Sequence, residues 1–77
     1  MRANRVYELK VRKGPRLMPD RLDHIEVVDL DSLEVALFWD THRDQTGKLA
    51  RALKRDLAGL EAEDFFAKWR RYEPGAR

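Results

Sequence analysis

An apolar segment in the middle of the chain, LEVALFW at residues 33–39, constrains the fold more than any other feature. Its Leu, Val, Leu and Trp side chains recur at every second position, while Ala36 and Phe38 occupy positions between them. A period of two residues is typical of a β-strand, in which successive side chains point to opposite faces. The segment therefore predicts a strand inside a sheet that carries apolar side chains on both faces, which raises the question of what covers the second face.

The composition predicts a single small α+β domain that spans residues 1–77. Of the 77 residues, 43% are hydrophobic and 39% are charged, which suits a packed core and is too apolar for a disordered chain. A chain of this length hides only about 60% of the surface of its unfolded form, so close packing or self-association has to supply stability. Cysteine is absent, which removes disulfides and thiolate metal sites and favours the cytoplasm. No apolar run approaches the roughly 20 residues of a membrane-spanning helix, so no membrane association is expected.

The apolar pattern predicts three strands. Tyr7, Leu9 and Val11 alternate with charged residues, and the stretch from His24 to Leu30 repeats the alternation. Between them, residues 13–23 contain two prolines and a glycine, which predicts a long basic connection. Turn-forming residues at 29–32 predict a short hairpin loop that returns the chain antiparallel. The predicted strands are residues 5–12, 24–30 and 33–39.

After residue 40 the apolar spacing changes to the period of about 3.6 residues that is typical of a helix. Leucines at 49, 53, 57 and 60 share one side among basic residues, which predicts an amphipathic helix over 42–58. The residues THRD at 41–44 have the form of a capping box before it. A shorter helix is expected over 62–72, with Glu61 as its N-cap and Phe65, Phe66, Trp69 and Tyr72 on its apolar side.

These elements predict an α+β fold, a three-stranded antiparallel meander followed by two helices packed on one face of the sheet (β-β-β-α-α). Two amphipathic helices that follow such a sheet can bury both of their apolar sides only against one sheet face. The face expected to meet the helices consists of Tyr7, Leu9, Val11, Ile25, Val27, Val35, Leu37 and Trp39.

The opposite face of the predicted sheet is expected to carry four apolar side chains among charged ones, namely Val6, Val28, Ala36 and Phe38. If they cluster, they form a modest apolar patch rimmed by charge, which is a candidate contact surface. This patch favours a non-enzymatic protein-interaction module, either a homodimer through this sheet face or a chain that binds another protein. The alternatives are that the connection at 13–23 folds over Phe38, or that Phe38 is partly exposed.

Basic residues favour a second function, that of a small nucleic-acid-binding or regulatory protein. The formal net charge is +2, and residues 1–23, 24–47 and 48–77 carry net charges of +4, −5 and +3. On the longer predicted helix, Arg51, Lys54 and Arg55 cluster on one arc that can contact phosphates, although Asp56 interrupts the arc. A nucleic-acid footprint normally has one continuous basic face, so the alternating charges suit a solvated surface or complementary self-association at least as well.

The sequence offers little for catalysis. It has no cysteine, a single serine in a predicted turn, and four glycines that stand apart and form no phosphate loop. The chain is therefore expected not to be an enzyme and to use no cofactor. Two histidines flank the second and third predicted strands and stand beside aspartates. These residues can be interpreted either as a metal site or as solvated loop residues. They are His24, His42, Asp23, Asp40 and Asp44.

Overall fold

The computed structural model describes residues 1–14 and 22–72. Its strands form one antiparallel sheet in the order β1-β2-β3, and two helices follow the sheet, as the sequence predicted. The fold is therefore α+β. The prediction that the connection at 13–23 covers Phe38 falls mostly outside the described residues. The elements are α1 (Ala3–Val6), β1 (Tyr7–Arg12), β2 (Leu22–Asp29), β3 (Val35–His42), α2 (Arg43–Gly59), α3 (Ala62–Trp69) and a 3₁₀ turn (Arg70–Tyr72).

The short helix α1 was not predicted, and it replaces the start of the first predicted strand. Tertiary hydrogen bonds hold this segment beside the connection between α2 and α3: the Ala3 amide donates to the Leu60 carbonyl at 2.9 Å, and the Ala62 amide donates to the Met1 carbonyl at 2.9 Å. Ala3 is fully buried there. The prediction that Val6 lies on a sheet face is wrong, because Val6 ends α1 and its carbonyl accepts from the Leu30 amide.

The sheet packs one face, the inner face, against the helices. Ile25 pairs with Trp39 and Val27 pairs with Leu37 across β2 and β3, and all four side chains are buried. Phe65 and Trp69 of α3 and Leu53 and Leu57 of α2 complete the core. Among the described residues, no helix combines the length and the apolar character that crossing a membrane requires.

A β-bulge changes which side chains of β3 face the helices. Val27 pairs with Leu37, but the next residue, Val28, pairs with Val35, so Ala36 has no partner in the ladder. Because one extra residue reverses the alternation, Val35 turns to the outer face, where 49% of it is exposed. The prediction that Val35 packs under the helices is wrong for this reason.

The predicted capping box at the start of α2 does not form. The N-cap residue is His42, and its side chain makes no capping hydrogen bond. The Thr41 hydroxyl instead lies 2.7 Å from the Thr46 hydroxyl, which donates to Asp23 Oδ2 at 2.7 Å. Asp23 and Thr46 are both buried, so this polar group ties the start of β2 to the first turns of α2.

The two helices are joined by a buried carboxylate. Asp56 of α2, expected on the solvated arc, is only 7% exposed. Its Oδ2 accepts hydrogen bonds from Lys68 Nζ at 2.6 Å and Trp69 Nε1 at 3.0 Å. Burial by itself raises the pKa of Asp56, but the hydrogen bonds from Lys68, Arg55 and Trp69 outweigh it and hold the pKa below its ordinary value.

Candidate interaction surface

The loop between β2 and β3 is shaped by Asp29. Its Oδ1 accepts from the Asp31 amide at 2.8 Å and the Ser32 amide at 3.2 Å, and its carbonyl accepts from the Leu33 amide at 2.8 Å. An aspartate that binds amides two and three residues ahead forms a tight turn of the kind predicted from the turn formers at 29–32. Asp29 also lies across from Tyr7, and burial together with the Asp29 charge raises the pKa of the Tyr7 hydroxyl.

Leu33 is held in a left-handed backbone conformation at the end of this turn. Its φ is 62°, and it is the one described residue other than glycine with a positive φ. The left-handed region costs an L-residue with a Cβ about 1–2 kcal/mol, and glycine or asparagine adopts it more readily. Yet 76% of the leucine is exposed. The side chain therefore gives the fold little packing in return for the strain.

Further apolar residues surround Leu33 at this end of the sheet. Leu30 and Val35 are 42% and 49% exposed. Beside the hairpin lies an open cavity of about 410 Å³, which Val6 helps to line. We define the hairpin-end surface as the exposed apolar residues of the hairpin and the residues that line this cavity: Leu30, Leu33, Val35, Met1, Arg5, Val6 and Asp31.

Side chains of the sheet itself cover more of its outer face, the face opposite the helices, than the sequence suggested. The His24 ring stacks on the Phe38 ring, with 5.7 Å between centroids and 19° between planes. His24 Nδ1 also lies 2.5 Å from Asp40 Oδ1, and Arg12 Nε lies 3.6 Å from Glu26 Oε1. An imidazole that stacks on a ring and meets a carboxylate covers part of the apolar surface, so His24 gives one answer to what covers Phe38.

The four residues predicted to form the contact patch do not form one exposed cluster. Val28 is buried between Glu8 and Val35 in the ladder, while Ala36 and Phe38 are half-buried on β3. Val6 lies apart from them on α1 and lines the hairpin-end cavity. Their role in an interface stays a prediction. Leu33 was missed, because no local pattern marks a leucine as the residue that takes a positive φ.

The three residues predicted to contact nucleic acid are all exposed on α2. Arg55 Nε lies 3.4 Å from Asp56 Oδ1, so part of its charge is met within the chain. Arg51 lies near Gly47, one turn earlier on the helix. Contact of Arg51, Lys54 and Arg55 with nucleic acid remains a prediction.

The residues of the alternative metal site are divided between the two faces of the sheet. Asp23 points inward and is buried, whereas its neighbour His24 lies on the outer face with Asp40. Across residues 1–14 and 22–72, no three histidine, aspartate or glutamate side chains come close enough together to hold a metal ion.

Comparison with protein families, with curated proteins and with solved structures finds no match to this chain.

Replacing Leu33 with asparagine is expected to stabilise the fold by about 0.5–1 kcal/mol, because asparagine tolerates the left-handed region. Urea denaturation at a dilution at which the chain is monomeric measures the change. The matched control is Leu33→Ala, which removes the exposed leucine but keeps a Cβ at the strained position. Equal stabilisation by alanine would show that backbone strain is not the cause.

Proposed function

We propose that the chain is a non-enzymatic protein-interaction module that pairs with a second copy of itself through the hairpin-end surface. The observation that carries the proposal is Leu33, an exposed leucine in a backbone conformation that disfavours leucine. Strained residues persist where the surroundings hold them in place, and they are concentrated at sites of function. A leucine that costs the monomer stability and finds little packing within it is well suited to packing in another molecule.

A second copy is the occupant that the surface suits best. The exposed Leu33 side chain and the cavity of about 410 Å³ lie at the same end of the molecule. In a twofold contact each protomer presents the same surface to the other. The Leu33 side chain of each protomer can therefore insert into the cavity of its partner. The Val6 and Leu30 side chains offer the apolar wall that an inserted leucine requires.

The charges around the cavity are also self-complementary. Arg5 and Asp31 both line it and carry opposite signs. Across a twofold axis, Arg5 of one protomer can face Asp31 of its partner, and the reverse pair forms by symmetry. Pairs of this kind at a solvent-exposed rim contribute little affinity, but they fix orientation and disfavour other pairings.

Light scattering coupled to chromatography tests the proposal. The wild-type mass is expected to rise with concentration from 9.1 kDa toward twice that value. A contact of this size is expected to be weak, so a dilution series is needed. Leu33→Asn should remain monomeric at every concentration, although it is expected to be the more stable fold. This opposite effect on stability and association separates a contact residue from a structural one.

Phe38→Glu is the matched comparison for the sheet-face dimer that the sequence suggested. If Phe38→Glu abolishes association while Leu33→Asn leaves it intact, the outer sheet face is the interface and the hairpin-end surface is not. If the wild-type chain stays at 9.1 kDa at all concentrations, the self-association proposal is wrong.

A further inference from the structure

A second open cavity, of about 450 Å³, lies between α2 and the residues that follow β1. It is at the opposite end of the sheet from the hairpin-end surface, because Arg12 at the end of β1 pairs with His24 whereas Tyr7 at its start pairs with Asp29. A ligand here would therefore be independent of the proposed self-association. The lining residues that bear on its chemistry are Lys13, Asp23, Arg43, Thr46, Gly47 and Arg51.

One side of α2 forms a wall with two guanidinium groups and no side chain between them. Arg43, Gly47 and Arg51 are spaced four residues apart, which places them on one side of the helix in successive turns. Glycine in a helix interior costs about 0.5–1 kcal/mol relative to alanine. A Cβ at Gly47 would lie 3.4 Å from Arg51 Nη1, so the guanidinium group rests close to bare backbone. The absence of a side chain at Gly47 therefore lets the Arg51 guanidinium group lie over the backbone between the two arginine positions.

The charged side chains among the described residues that line the cavity are predominantly positive. Lys13, Arg43 and Arg51 make no ion pair with any described residue. Among the described lining residues, the carboxylate is that of Asp23, whose contacts include hydrogen bonds from the Gly14 amide at 3.0 Å and from the Thr46 hydroxyl at 2.7 Å. Lys13, Arg43, Arg51 and Asp23 together give the described lining residues a formal charge of +2.

We propose that this cavity binds the phosphate group of a small phosphate monoester. A phosphate monoester carries a charge of about −1.5 to −2 at neutral pH, which is opposite in sign to the formal charge of the described lining residues. One guanidinium group can donate two parallel hydrogen bonds to the oxygens of a phosphate. Arg43 and Arg51 provide two guanidinium groups on the same wall of the cavity. The volume falls in the range of about 300–1,000 Å³ found for small-molecule sites, and Val11 and Ala50 add an apolar surface for the organic part of the ligand.

Isothermal titration of the full chain at constant ionic strength tests the proposal, with inorganic phosphate and adenosine 5′-monophosphate as probes. Saturable binding at one site per chain is expected for the monophosphate. Phosphate alone should bind to the same site more weakly if the organic part contributes. Arg43→Gln and Arg51→Gln should each weaken binding by about tenfold or more, since each removes charge-assisted hydrogen bonds. The backbone amide signals of Gly14 and Gly47 should shift with the same saturation curve.

Two exposed basic residues outside the cavity serve as matched controls. Arg71→Gln removes an arginine from the 3₁₀ turn, and Lys54→Gln removes a cation of α2 that does not line the cavity. Both should bind the monophosphate within about twofold of wild type, since screened surface charges contribute little. Because all of the substituted side chains are exposed, the unfolding midpoint of each variant without ligand checks that the fold is retained.

Two results would overturn the proposal. One is the absence of saturable binding of both anions to the wild-type chain. The other is a combination of two findings. In a duplex-DNA titration, Lys54→Gln and Arg51→Gln weaken binding while Arg43→Gln does not. In the monophosphate titration, neither Arg43→Gln nor Arg51→Gln changes the affinity. That pattern would assign the basic surface of α2 to nucleic acid and leave the cavity without a ligand.

Discussion

Replacing Phe65 with alanine is expected to lower the free energy of unfolding by about 3–5 kcal/mol. Phe65 is fully buried, and its ring centroid lies 5.7 Å from that of Tyr7 on β1 and 6.4 Å from that of Trp69 on α3. Removing it opens a cavity where α3 meets the sheet. A core of this size supplies only about 3–5 kcal/mol of net stability, so the variant should be largely unfolded at room temperature.

The neighbouring Phe66 provides the control for this substitution. Phe66 is half-buried, and its ring stacks against Tyr7 at 6.3 Å from the margin of the core. Phe66→Ala is expected to cost about 1–2 kcal/mol and to leave a folded chain. Circular dichroism and urea denaturation measure the free energy of unfolding of both variants. If Phe65→Ala does not fold, the milder substitution Phe65→Leu provides a smaller loss of stability that can still be measured. Equal losses at the two positions would contradict the central place of Phe65 and the marginal place of Phe66 in the core.

The order and type of the main elements were predictable, because they follow from apolar spacing over many residues. Ile25, Val27, Leu37 and Trp39 recur at every second position of their strands, and all four are buried against the helices. The change of spacing after residue 40 marked the start of α2 to within one residue. A pattern of this length still predicts the type of element when one position is irregular, since each buried side chain favours the same secondary structure.

The local departures were not predictable, because tertiary contacts decide them. The bulge beside Ala36 reverses the direction of Val35, and a single unpaired residue leaves no signal in the sequence. The short helix α1 depends on hydrogen bonds to the connection between α2 and α3, more than fifty residues away along the chain. Both errors affect the candidate interaction surface, since they move Val6 and Val35 from their predicted places. The exposed apolar side chains of the hairpin therefore lie at the end of the sheet and not across its outer face.

Asp56 shows the same limit for a charged residue. In the sequence it stands among basic residues of an amphipathic helix and looks solvated. Its burial depends on the path by which α3 folds back, because the two side chains that donate to Oδ2 come from Lys68 and Trp69. A carboxylate that accepts a Trp N–H and an ammonium group in a buried place fixes the position of one helix against the other.

Asp56→Asn is expected to destabilise the fold by about 2–3 kcal/mol at neutral pH. The substitution keeps the size of the side chain but removes the charge that Lys68 meets at 2.6 Å. Arg55→Gln is the control, because Arg55 touches the other oxygen of Asp56 with a side chain that is 71% exposed. A mostly solvated pair of this kind contributes less than about 1 kcal/mol, so Arg55→Gln should be close to wild type in urea denaturation.

The dependence on pH gives this prediction a second, independent measurement. The pKa of Asp56 in the folded chain lies below its ordinary value of 3.8, so on acidification the unfolded chain takes up the proton first. The stability that the carboxylate contributes is therefore complete well above pH 3.8 and is lost as the pH falls through the folded pKa. Denaturation curves between about pH 7 and about pH 3 should show the wild type converging toward Asp56→Asn. A stability difference that stays constant over this range would mean that the charge of Asp56 does not hold α2 and α3 together.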